Sequence, residues 1–404
     1  MKPLPLILAF AALAPATTGQ ETITVLKGAK VYPVSRPAIE DGVVVLAGGV
    51  IQVVGDRDTS IPQNANVIDC TGLVITPGLI DAATTLGVSS TDANEQSDEV
   101  TPHMHIVDAI DPADKAFGRA LHGGVTTVQV SPGGRNVIGG LGAVLKTHGD
   151  TVADMLMRDE ASLTVTMGSE PSSGNRAIRG GTPTGLYYRR PTTRMGVVWE
   201  LRKAMYDAQA YREEKTLGDS EAPPVEDPGM EVLLRALDKK LQVRTSAMAE
   251  QDIRTALRLA EEFGYDTVLE EVTEAYQVAD ALAEAKVKVI FGAPSAEVGR
   301  DGARPKMHTL NLLAERSVPF AIASGRLAGT EDLAREAMFA MRHGLDRARA
   351  LASVTIIPAE ILGVSDRVGS LAAGKDADLV LWTGEPFGAL TTAEAVYVRG
   401  EKVK

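Results

Sequence analysis

Cysteine is all but missing from this chain of 404 residues: Cys70 stands alone, so no internal disulfide can form. It sits in the strand-like stretch Asn66–Gly72 and reads as a small buried apolar filler rather than a reactive thiol. Aromatic residues make up 4% of the chain, too few for an extended stacking surface of the kind that holds single strands or carbohydrates. Positive charge is also short. The formal net charge of -12 leaves no basic excess to neutralise phosphates, which argues against nucleic acid or an anionic membrane as partner. No apolar run is long enough to span a bilayer, and no Cys follows the N-terminal apolar run, so membrane anchoring is not expected. Histidine is thinly spread: six occur, at 103, 105, 122, 148, 308 and 343, and none lies between 149 and 307.

What is present begins with an apolar run, Leu4–Leu13, preceded by Lys2 and followed by Ala14-Pro15-Ala16. That order matches a secretory signal with an A-x-A-type cleavage site, so residues 1–20 are set aside and a periplasmic or secreted protein is expected. Residues 21–76 then alternate short β-rich runs such as Gly42–Leu46 and Val50–Val54 with turns at Gly48-Gly49 and Gly55-Asp56. The same texture returns in Ala377–Trp382 and Ala395–Gly400. Together, 21–76 and 366–404 are expected to form one β-sandwich domain in which the termini pair.

The long middle, 77–365, alternates strand and helix signals. Asp111-Pro112 looks like a helix start and Gly123-Gly124 its stop, with the buried strand Val125–Val130 after it. Helix Asp252–Phe263 precedes strand Thr267–Leu269, helix Glu274–Ala285 precedes Val287–Phe291, and helix Leu310–Arg316 precedes Pro319–Ala323. Helices over Glu331–His343 and Asp346–Val354 follow, and Thr216–Gly229 reads as a surface loop. Repeated units of this kind build a parallel sheet, and at this length a closed (β/α)8 barrel is the natural solution.

Several runs carry a resemblance. Thr76-Pro77-Gly78-Leu79-Ile80-Asp81-Ala82-Ala83-Thr84-Thr85, Pro358–Gly363 and Asp366–Val380 resemble the amidohydrolase superfamily, nearest its imidazolonepropionase-like and Xaa-Pro-type dipeptidase-like branch. Asp92–Pro102, Gly123–Lys146 and Pro191–Gly196 are similar to that branch as well. The resemblance implies an α/β fold, a distorted (β/α)8 TIM barrel with a composite β-sandwich. It also implies one or two divalent metals, such as zinc, held at the C-terminal ends of the strands. There a His-x-His pair, two further histidines and an Asp would lower the pKa of bound water and polarise the scissile carbonyl.

Those implied positions are occupied differently here. Ala83 and Thr85 stand where the His-x-His pair belongs, Ser246 and Glu271 where the single histidines belong, and Gly325 where the Asp belongs. Slippage of the alignment cannot recover the two central histidines, because no His occurs between 149 and 307. An Ala methyl cannot bind a metal and a Thr hydroxyl is a poor ligand for zinc. The expectation is therefore a chain with no cofactor of its own and a degenerate site. It would act as a binding or structural subunit in a homo-oligomer, or in a hetero-oligomer with an active amidohydrolase paralogue.

Other constellations could rescue chemistry. His103-x-His105 is a candidate relocated metal pair needing a third ligand from Asp98, Asp108 or Glu271, against a bland reading as polar loop residues. Glu270, Glu271 and Glu274 cluster near a strand end and could do acid/base work or pair with Arg244 or Arg326. Arg244, Glu271 and Arg326 could also bind a charged ligand in the pocket. With His103, His105 and Glu270 as fallback catalytic residues, the alternative is a hydrolase of C–N bonds in cyclic amides or dipeptides with a rearranged or partner-completed site. The glycine-rich stretch Gly133–Gly142 lacks the ending of a phosphate loop, and Lys146 lacks the partner ligands a metal-bridging lysine would need.

Overall fold

The structure is a computed structural model, and it describes residues 22–95, 97–174, 191–217, 225–295, 300–325 and 332–404. The expected signal over residues 1–20 and Arg326 lie outside the described residues.

The N-terminal β-rich runs form β1 (Thr24–Val31), β2 (Ile39–Ala47), β3 (Val50–Asp56), β4 (Asn66–Asp69) and β5 (Val74–Pro77). Between β2 and β3 the two-residue turn Gly48-Gly49 takes φ of 60° and 77°, the left-handed pair that a tight hairpin requires and that glycine adopts without strain. A second set of eight strands follows, β6 (Leu79–Thr84), β7 (Val125–Val130), β8 (Ile138–Lys146), β9 (Leu156–Thr166), β10 (Val243–Ser246), β11 (Thr267–Glu270), β12 (Lys288–Phe291) and β13 (Phe320–Ile322). The chain ends in β14 (Leu379–Trp382), β15 (Ala393–Val398) and β16 (Glu401–Lys402).

Two eight-stranded sheets result. The first runs β16-β15-β14-β5-β1-β2-β3 with β4 beside β1, and its seam is the antiparallel pairing of C-terminal β14 with N-terminal β5. Both ends of the chain thus build one sheet, and Cys70 is fully buried in its core beside Leu26, Ile75 and Leu379. The second sheet runs β6 through β13 in sequence order and curls into a nearly closed barrel. Small and branched side chains fill its interior, among them Ile80, Ala82, Val144, Ala161, Val268, Ile290 and Ala321.

One strand departs from the uniformly parallel sheet expected. β8 is antiparallel to both β7 and β9. A parallel neighbour needs a crossover of a dozen or more residues, whereas only seven, 131–137, separate β7 from β8, and they hold no helix. The chain therefore turns back on itself. Lys146, the last residue of β8, consequently lies beside Thr127 near the start of β7, at the N-terminal end of the barrel.

Local boundaries also shift. The helix after the expected Asp111 start spans Lys115–His122 and is capped by Asp114, which accepts from the Ala116 amide at 2.8 Å, while Asp111 caps a preceding turn. Part of the expected surface loop is helical: one helix runs Arg194–Leu217 and another begins at Pro228, capped by Asp227. His122 ends its helix as expected, its Nδ1 2.6 Å from the Gly118 carbonyl.

Candidate site at the mouth of the barrel

In a parallel barrel the C-terminal strand ends form the functional face. Strand alternation turns every second side chain inward, so Arg244 and Ser246 of β10 share one side. Both are buried, as are Glu270 and Glu271 at the end of β11. Arg244 pairs with Glu270 on the neighbouring strand and donates through Nη2 to the Ala82 carbonyl of β6, crossing the barrel interior. Ser246 donates its hydroxyl to Glu271 Oε2 at 2.6 Å. Glu271 holds a left-handed φ of 54°, a conformation that costs a non-glycine residue about 1 kcal/mol or more and tends to mark functional positions.

Asp81 closes the seam between β6 and β13. Its carboxylate accepts from the Ser324 amide at 3.2 Å and from the Ala83 amide at 3.4 Å. Burial outweighs these bonds and pushes its pKa up to about 7. Because the folded value exceeds the unfolded one, the folded chain binds the extra proton, and stability from this group falls as pH rises from about 4 to about 7. Asp81→Asn removes that titration. The stability of wild type relative to this variant, read by urea unfolding across that pH range, is therefore expected to decline and then level off. A pH-independent difference would refute the assignment.

Around the rim, Arg194 ties three segments together. Its Nε donates to both Asp252 oxygens at 3.2 Å, and its Nη2 lies 2.8 Å from Asp301 Oδ1. Asp301 also accepts from the Ser169 amide at 3.1 Å and from the Ser169 hydroxyl. Gly168, with φ 87°, is needed here, since a Cβ would fall 2.1 Å from Asp301 Oδ2. Burial raises Asp252 to about 6, opposed by Arg194. Sequence reasoning gave this network no role, although Arg194 lay in a singled-out run. Its partners are 58 and 107 positions away in the chain. A cavity of about 230 Å³ opens beside it, lined by Met167, Ser169, Glu170, Ser246, Met248 and Asp301.

The remaining candidates fall elsewhere. Ala83 faces the barrel core, Thr85 is half-buried past the end of β6, and Gly325 follows β13 with φ 87°. His103 is exposed. His105 bridges Leu141 in the middle of β8, and its Nε2 lies 3.6 Å from Glu160 Oε1. Glu160 is six residues before the C-terminal end of β9, on the order of 20 Å along an extended strand, so the fold does not bring His103, His105 and Glu270 together. Lys146 is fully buried at the opposite end of the barrel, paired with Asp376 at 2.9 Å and with Asp378. The glycine-rich stretch packs on the 92–102 segment, with the Arg135 amide on Asn94 Oδ1 at 2.9 Å.

An amidohydrolase family model matches residues 74–403. The chain belongs to the amidohydrolase family. The crystal structure of an amidohydrolase from Thermotoga maritima MSB8 is 33% identical, with a TM-score of 0.85 over 94% of this chain and 99% of that one. Amidohydrolase tasK of Hapsidospora irregularis is 26% identical over 396 residues, covering 89% of this chain but only 39% of the relative, so the chain spans about two fifths of that protein's length. A prolidase complexed with N-methylphosphonate-L-proline shares the fold at 20% identity and a TM-score of 0.58, covering 95% of this chain and 100% of that one.

Membership in the amidohydrolase family corrects one expectation. The expected absence of a cofactor does not stand, because relatives in this family normally bind divalent metals. The donors present at this amidohydrolase's mouth are a different matter. They are oxygens without imidazole, and the carboxylates of Glu270 and Glu271 already hold Arg244 and Ser246. Among the described residues no group of three or more His, Cys, Asp or Glu is placed to hold a metal ion. As arranged, these side chains do not fit the histidine-rich set that the resemblance implied.

Proposed function

We propose that this secreted amidohydrolase-family protein is catalytically impaired on its own and serves as a binding or structural subunit beside an active paralogue. One observation carries the reading: the buried carboxylates of Asp81, Glu270 and Glu271 at the mouth are already engaged by protein donors. Arg244 is neutralised by Glu270 and anchored on Ala82, Ser246 donates its hydroxyl hydrogen bond to Glu271, and Asp81 is capped by two backbone amides. General-base chemistry needs a group within reach of a substrate proton, and a carboxylate already engaged in a buried bond is poorly placed for it.

A second reading is a hydrolase of dipeptide or cyclic-amide C–N bonds with a site completed by the partner. It draws on the cavity of about 230 Å³ beside Ser246, which a small ligand side chain would fill. Assaying dipeptide and cyclic-amide hydrolysis with the chain alone, with the active paralogue alone and with both separates the two. The subunit role predicts turnover only where the paralogue is present, with co-elution of the two chains. Failure of the two to associate would remove it.

A further inference from the structure

An open groove lies at the face of the barrel opposite the mouth. It has a volume of about 950 Å³ and is bounded by the residues that lead into β10, β11 and β12 and by the helices Glu250–Phe263 and Ala279–Glu284. That volume is in the range of small-molecule sites. The N-terminal face of such a barrel ordinarily serves stability rather than catalysis, so a ligand here would not compete with one at the mouth.

Its charge runs against that of the chain, which carries a net -12. Arg254 and Arg258, one helical turn apart, share a face of the Glu250–Phe263 helix, while Lys239, Lys286 and Lys288 come from the strand-leading segments. Arg254 is held by Glu250 and Lys239 lies 3.5 Å from Asp266. Arg258, Lys286 and Lys288 form no ion pair among the described residues.

We propose that this groove binds a small polyanion, with Arg258, Lys286 and Lys288 neutralising it. Glu261, Asp266 and Glu284 also line the groove and repel a single negative charge. Affinity must therefore come from several anionic groups engaged at once, which selects di- and polyanions over monoanions. Guanidinium forks suit phosphate and carboxylate alike.

Isothermal titration calorimetry of the whole chain at low salt tests this, using pyrophosphate and citrate as probes and acetate as the monoanion. Expected is saturable binding of pyrophosphate or citrate at one per chain, with none for acetate; which of the two binds tells phosphate from carboxylate chemistry. Arg258→Glu with Lys288→Glu is expected to weaken binding at least tenfold. Absence of saturable binding to both probes, or unchanged affinity in the double variant, overturns the assignment.

Discussion

Arg244→Ala is expected to destabilise the protein by about 3–5 kcal/mol, because it strands the Glu270 carboxylate in the barrel interior. Both side chains of the pair are fully shielded from solvent. Water cannot replace the guanidinium there, and the Ala82 carbonyl loses its donor at the same time. Much of the loss reflects the abandoned charge rather than the net worth of the pair. Replacing both partners together, Arg244→Met with Glu270→Met, is therefore expected to recover most of the stability. Urea unfolding of the three proteins measures this. A single-variant loss below about 1 kcal/mol would mean that the pair is hydrated or mobile, contrary to its burial.

Lys146→Met is expected to cost a comparable amount, about 3 kcal/mol, for a different structural reason. Lys146 is the fully buried cation between Asp376 and Asp378, which belong to the C-terminal segment leading into β14. The same segment is stitched to the junction of β5 and β6 by the Gly78 amide on the Asp378 carbonyl at 3.0 Å, and β14 is held to β5 by Trp382 Nε1 on Thr76 Oγ1 at 2.9 Å. Against burial, which pushes it up, Lys146 and Arg367 hold the Asp376 carboxyl below its usual range. A depressed carboxylate contributes stability above its unfolded pKa of about 4, and that stability is lost as pH falls through the lower folded value. The variant should therefore lose less than wild type on acidification. Equal unfolding midpoints for the two proteins at neutral pH would exclude this role.

Much of the architecture was legible because local chemistry and tertiary structure agree. The β-branched runs of both ends pair as β5 and β14, and the strand-and-helix alternation of the middle closes into the barrel. The reversed strand was not legible, because Val125–Val130 and Ile138–Lys146 are buried throughout and a continuous burial pattern carries no direction. Only the short helix-free link between them holds that information. At the mouth, alternation is enough to set Arg244 and Ser246 on one side of β10. Which carboxylate each meets depends on the register of β10 against β11, which aligns Ser246 with Glu270 and leaves Glu271 one step beyond. His103 and His105 show the opposite hazard: their spacing suggests a metal pair, while the backbone places His105 against the middle of β8. The Arg194–Asp252–Asp301 network could not be read from spacing at all, because its members meet only in space.

The most direct test of the barrel mouth is the turnover of the isolated chain after incubation with zinc or manganese, measured on Xaa-Pro dipeptides and compared with Ser246→Ala and Glu271→Gln. Side chains locked as Arg244–Glu270 and Ser246–Glu271 predict no turnover above background in any of the three proteins. Metal-dependent hydrolysis by the unmodified chain, lost in either variant, would contradict an impaired site.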